Sequence, residues 1–125
     1  MPSPLFTRFA AAVLIMALAQ TVAATDARAH AVIIGSTPTV DATVAPDSDV
    51  TLHFNSRIDR QRSRLTLVGP DGAISPLAIV PDSAPDVVSA KMSGLGAGQY
   101  RLRWQVLAID GHLTRGDIRF SVKAP

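Results

Sequence analysis

The residues best able to do chemistry in this chain are three histidines and one short acidic loop. Asp110-Gly111-His112 is the loop. Asp-Gly is a common hairpin turn because Gly tolerates the positive φ such turns need, and Asp and His two positions apart can project toward one side of a strand end. A carboxylate oxygen beside an imidazole nitrogen is half of a metal site, so the rest must come from elsewhere in the chain. His53 sits on the polar phase of a run whose apolar phase is Val50, Leu52 and Phe54, and reads as an exposed strand residue. His30 differs because of what precedes it.

Arg8 leads into an uninterrupted apolar run of 11 residues, Phe9 to Ala19. Such a run is too short to span a membrane, which takes about 20 residues, and has the length of a secretory h-region. Ala27-Arg28-Ala29 then offers small residues where a signal peptidase needs them; a cut after Ala24 also satisfies that rule. The expected organisation is a cleaved leader over residues 1–29 and one domain over residues 30–125. The later cut makes His30 the first residue, with an α-amine and an imidazole Nδ1 that can close a chelate ring on one metal. Adding Asp110 and His112 gives an amine nitrogen, two imidazole nitrogens and a carboxylate oxygen. That set suits Cu(II), with Ni(II) next, whereas a tetrahedral Zn(II) cage normally draws on more His or Cys. The plainer reading is a hairpin turn with an exposed His, and a processing site that falls before His30 by accident.

The elements that must position these residues are strands. No helical period follows His30, while Val50–Phe54, Tyr100–Val106 and Ile118–Val122 alternate apolar and polar residues. Ala31–Ile34, Leu65–Val68, Leu77–Val80 and Val87–Met92 are shorter candidates, separated by turn signals such as Gly69-Pro70-Asp71-Gly72. About seven short strands with no room for crossover helices predict an all-β, Greek-key, antiparallel β-sandwich of immunoglobulin type. Trp104 and Met92 fall on core phases, and Arg57–Arg64, the densest charge cluster, reads as a solvated loop. From His30 onward ten Lys and Arg face nine Asp and no Glu, a balance that gives nucleic-acid binding no electrostatic footprint. The chain has no Cys, so core packing must hold the domain. No second apolar span follows the leader, and the processed chain is expected to be periplasmic or extracellular and monomeric.

The processed chain resembles the CopC/PcoC family of periplasmic copper-binding proteins along its length. The resemblance is carried by His30-Ala31, Ser36-Thr37-Pro38, Val50-Thr51-Leu52-His53-Phe54, Leu95-Gly96-Ala97-Gly98-Gln99-Tyr100-Arg101-Leu102-Arg103-Trp104, and Asp110-Gly111-His112 followed by Gly116 and Phe120-Ser121-Val122. It implies a small immunoglobulin-like or cupredoxin-like β-sandwich, one Cu(II) held by His30, Asp110 and His112, a role in copper resistance or homeostasis, and work beside an inner-membrane copper transport protein of the CopD type. Two departures matter. Some family members carry a Met-rich Cu(I) segment where this chain reads Pro70-Asp71-Gly72-Ala73-Ile74-Ser75-Pro76-Leu77, without Met or His, so no Met-rich Cu(I) site is expected. Some also carry a Glu after the strand ending in Phe54, where this chain has Asn55-Ser56-Arg57.

Two other functions compete with a non-enzymatic copper carrier. One is a copper-brace oxidative enzyme, which also uses an N-terminal His on a β-sandwich. Against it stand the anionic ligand Asp110, which favours Cu(II) over Cu(I), and the lack of an aromatic platform for a sugar chain, since Tyr100 and Trp104 fall on the buried phase. The other is a metal-free immunoglobulin-like interaction module.

Overall fold

Alternation of residue type becomes alternation of burial. The computed structural model describes residues 31–125; the expected leader over residues 1–29, and His30, lie outside the described residues. The strands are β1 (Ile33–Thr37), β2 (Ala42–Val44), β3 (Ser48–Phe54), β4 (Ile58–Val68), β5 (Ile74–Leu77), β6 (Val87–Met92), β7 (Gly98–Ala108) and β8 (Leu113–Val122). They form a three-stranded sheet in the order β1-β3-β6 and a five-stranded sheet in the order β2-β8-β7-β4-β5. The chain passes between sheets after β1, β2, β3, β5 and β6, as a Greek-key sandwich requires.

Each long strand gives one phase to the interior. Val50, Leu52 and Phe54 of β3, Val88 and Ala90 of β6, Leu65 and Leu67 of β4, Leu102 and Val106 of β7, and Ile118 and Phe120 of β8 are buried in one continuous core. Met92 joins them, and Trp104 packs against them half-buried, its ring edge-on to Phe54 at a centroid separation of 5.6 Å. Tyr100 stacks on Phe120, and its hydroxyl donates to the Gly96 carbonyl at 2.8 Å. That bond reaches four residues back, the arrangement by which a tyrosine corner clamps the entry to a strand of an immunoglobulin-type sandwich.

The structure departs from the sequence expectation in three places besides β1, which runs Ile33–Thr37 where Ala31–Ile34 was expected. There are eight strands, because Ala42–Val44 adds an edge strand beside β8, and this pair is parallel where an antiparallel sandwich was expected. Three residues are too few to display a period. Secondly, Ile58–Arg64, read as part of a solvated loop, is the first half of β4. Ile58 is buried and registers with Ala108 of β7, and the ladder then slips between Asp59 and Arg64. The slip is bridged by Ser63, whose hydroxyl donates to the Asp59 carbonyl at 2.6 Å and accepts the Leu107 N–H at 3.1 Å. The Arg60 guanidinium meanwhile ties down a neighbouring loop through the carbonyls of Pro81 and Ala84. Charged side chains there face outward while the backbone runs as a strand. Thirdly, β5 lies earlier than the expected Leu77–Val80, and Ile79 makes an isolated bridge to Ala90.

Candidate metal centre

The β7–β8 hairpin carries Asp110 and His112 at its tip. The Ala108 N–H donates to the His112 carbonyl at 2.9 Å, which closes a loop of Ile109, Asp110 and Gly111. Within it the Gly111 N–H donates to the Ala108 carbonyl at 2.9 Å, and Gly111 adopts φ 93°. A three-residue hairpin loop of this kind needs a residue at positive φ as it re-enters the second strand, and Gly takes that conformation without a Cβ penalty. The Asp-Gly pair therefore belongs to a loop one residue longer than the two-residue turn its sequence suggests.

The loop holds its two candidate ligands against each other. Asp110 Oδ1 accepts the backbone N–H of His112 at 3.1 Å, and Asp110 Oδ2 lies 3.2 Å from His112 Nδ1. These contacts lower the Asp110 pKa below the usual carboxylate value. The backbone N–H of His112 is the chief cause; desolvation opposes it, and the imidazole adds to the lowering through its hydrogen bond and charge. Both side chains remain about half exposed, at 43% for Asp110 and 47% for His112. A carboxylate that orients an imidazole through one ring nitrogen fixes the tautomer and raises the basicity of the other nitrogen, as carboxylates do behind metal-bound histidines.

The same end of the sandwich receives the start of the described chain. Ala31 is fully buried, and Val32 is pinned to Asn55 twice: its N–H donates to Asn55 Oδ1 at 2.8 Å, and its carbonyl accepts the Asn55 N–H at 3.0 Å. Two residues on, the Arg57 carbonyl accepts the Ile109 N–H at 3.0 Å. The β3–β4 connection, Asn55 to Arg57, thus holds the chain's entry on one side and the root of the loop on the other. Asn55 is the positioning residue that sequence reading missed. Its only signal was the place where a Glu was looked for, and the amide serves there as an acceptor for the Val32 backbone.

Of the expected site residues, the structure brings Asp110 and His112 together; His30 lies outside the described residues. His53 is exposed on the outer face of the three-stranded sheet, in register with Gly35. Among the described residues no group of three or more His, Cys, Asp or Glu side chains converges on one point. The hairpin tip by itself therefore offers a carboxylate and an imidazole, and a complete site takes further donors.

Fold and loop together define a small immunoglobulin-like β-sandwich with a His–carboxylate pair at one end. The CopC domain model matches residues 33–123, and the chain belongs to the CopC domain family. Copper resistance protein C of Pseudomonas syringae pv. tomato is 31% identical over 125 residues, covering 94% of this chain and 93% of that protein. Copper resistance protein C of Xanthomonas campestris pv. juglandis is 28% identical over 117 residues, covering 87% and 92%. Among solved structures, PcoC of Escherichia coli, described as a methionine-rich copper resistance protein, matches with a TM-score of 0.63 at 29% identity over 76% of this chain and all of that one. CopC from Methylosinus trichosporium OB3b shares the fold, with a TM-score of 0.68 at 22% identity over 76% of this chain and 95% of that one. The methionine richness of PcoC has no counterpart here, because Met92 is the one Met between residues 31 and 125 and it is buried in the core.

Proposed function

We propose that this protein is a periplasmic Cu(II)-binding protein of copper resistance or homeostasis. It takes one Cu(II) per chain as cargo, after removal of residues 1–29, through the α-amine and imidazole of His30 together with Asp110 and His112. The observation that carries this reading is the joining of chain entry and hairpin root by the Asn55–Arg57 connection, which bonds Val32, two residues beyond His30, on one side and Ile109, at the root of the Asp110–His112 loop, on the other. A carboxylate lowered in pKa stays ionised and ready to balance the charge of a cation. The nitrogen donors supply the ligand field Cu(II) prefers. The protein carries copper without turning over a substrate, and a CopD-type inner-membrane transporter is its expected partner. The copper-brace alternative gains nothing from the aromatic residues, since Tyr100 and Trp104 pack toward Phe120 and Phe54.

The test compares the chain His30–Pro125, its terminus verified by mass spectrometry, with one bearing a single additional Gly ahead of His30. The extra residue converts the amine into a peptide nitrogen and leaves every other donor in place. Cu(II) affinity is expected to fall by at least about tenfold, the least that loss of a supporting group usually costs a metal site. Equal binding by the two chains sinks the proposed ligand set.

A further inference from the structure

We infer that the outer face of the five-stranded sheet is a docking surface for a protein partner that presents carboxylates. The register places Arg64, Gln105 and Arg115 in one row across β4, β7 and β8, then Thr66, Arg103 and Asp117, then Val68, Arg101 and Arg119. These residues occupy the phase opposite the buried Leu65, Leu67, Leu102, Val106, Ile118 and Phe120, so five arginines share one face. They are half of the Lys and Arg in a processed chain that is otherwise close to neutral. The segregation has a cost: Arg101 lies directly opposite Arg119, and like charges in that position destabilise a sheet. Internal acids relieve it weakly. Asp117 is shared between Arg101 and Arg103 at 3.8 Å each, and Asp41 reaches Arg119 from the sheet edge at 3.9 Å. Such long, exposed pairs contribute little and leave the guanidinium donors available.

The residue type and the pattern select the partner. Within β4, β7 and β8 every cation is Arg, whose planar fork recognises carboxylates bidentately and is favoured at protein interfaces where Lys is depleted. Asp117 stands in the middle row. A carboxylate there repels a uniformly anionic lipid leaflet, while a protein with spaced acidic residues can leave a neutral or basic group opposite it. The inference goes beyond copper binding and is tested without copper.

The probe is a synthetic extended peptide alternating Glu and Thr, titrated into isotopically labelled His30–Pro125 at low salt. Amide shifts are expected along β4, β7 and β8 and not on the three-stranded sheet. The pair Arg103→Gln and Arg115→Gln is expected to weaken binding about tenfold. The charge-matched pair His53→Glu and Lys91→Gln, both exposed on the three-stranded sheet, is expected to change it less than about twofold. Trp104 fluorescence reports that each variant folds, and unchanged Cu(II) affinity in both pairs separates this result from the fate of the metal site. Shifts centred elsewhere, equal weakening by both pairs, or tighter binding to vesicles of equal parts phosphatidylglycerol and phosphatidylcholine than to the peptide would each overturn the inference.

Discussion

Asp110 is engaged twice by one neighbour, through the backbone N–H of His112 on one oxygen and the imidazole on the other. The larger influence on its charge is the backbone contact, which survives any side-chain change at position 112. In the metal-free protein the Asp110 carboxyl is therefore expected to titrate below the usual carboxylate range, and His112→Ala should diminish that displacement by removing the imidazole's share while the backbone contribution remains. Carbon-detected NMR of the Asp110 carboxyl during an acid titration checks both points; an ordinary midpoint would mean that the loop contact does not form. The sign follows from linkage. A carboxyl whose folded pKa is depressed contributes order to the loop above its unfolded pKa, and that contribution is lost as pH falls through the lower folded value. Asp110 is about half exposed and solvent screens its charge, so the effect is confined to the loop. The acid limit of metal binding should accordingly be set by protons competing for the nitrogen donors.

At the scale of elements, the hairpin depends on a close approach between its strands. Gly116 of β8 registers with Trp104 of β7, and a Cβ at Gly116 would lie 2.6 Å from Trp104 Cζ2 and 2.8 Å from Cε2. The indole thus occupies the space a side chain would take and holds its edge against Phe54. Gly116→Ala must push a rigid ring, and its expected cost is about 1–3 kcal/mol, read from denaturant unfolding together with a shifted Trp104 emission. A variant as stable as the parent, with unchanged emission, would show that the indole does not rest there. Elements of this kind were legible where residue type alternates over five or more positions, as in β3, β7 and β8. The first half of β4 was not, because Arg57–Arg64 satisfies the composition of a loop while Ile58 and Ser63 supply the buried contacts of a strand. Nor was β2, which owes its existence to backbone partners on β8: the Asp41 N–H donates to the Arg119 carbonyl, and the Lys123 N–H to the Val44 carbonyl.

The whole molecule matters because the proposed ligands come from opposite ends of the sequence. Asp110 and His112 were legible as a pair from their spacing, and the link between the described chain's entry and the root of their loop was not, since it runs through Asn55 and backbone carbonyls that carry no motif. That link makes copper binding a probe of folding. An N-terminal His chelates Cu(II) through its amine and Nδ1 in the unfolded chain as well, and a ligand bound equally by both states leaves stability unchanged. Only the donors that the fold adds can raise the melting temperature. If Asp110 and His112 together strengthen binding at least about tenfold, they favour the folded chain by about 1.4 kcal/mol, and saturating Cu(II) should raise Tm by at least about 5 °C in a domain of this size. Substituting Asp110→Ala and His112→Ala together should abolish that rise while leaving measurable Cu(II) bound at the terminus. Calorimetry of the two chains with and without Cu(II) makes the comparison, and an equal rise in both would place the stabilising copper away from the hairpin tip.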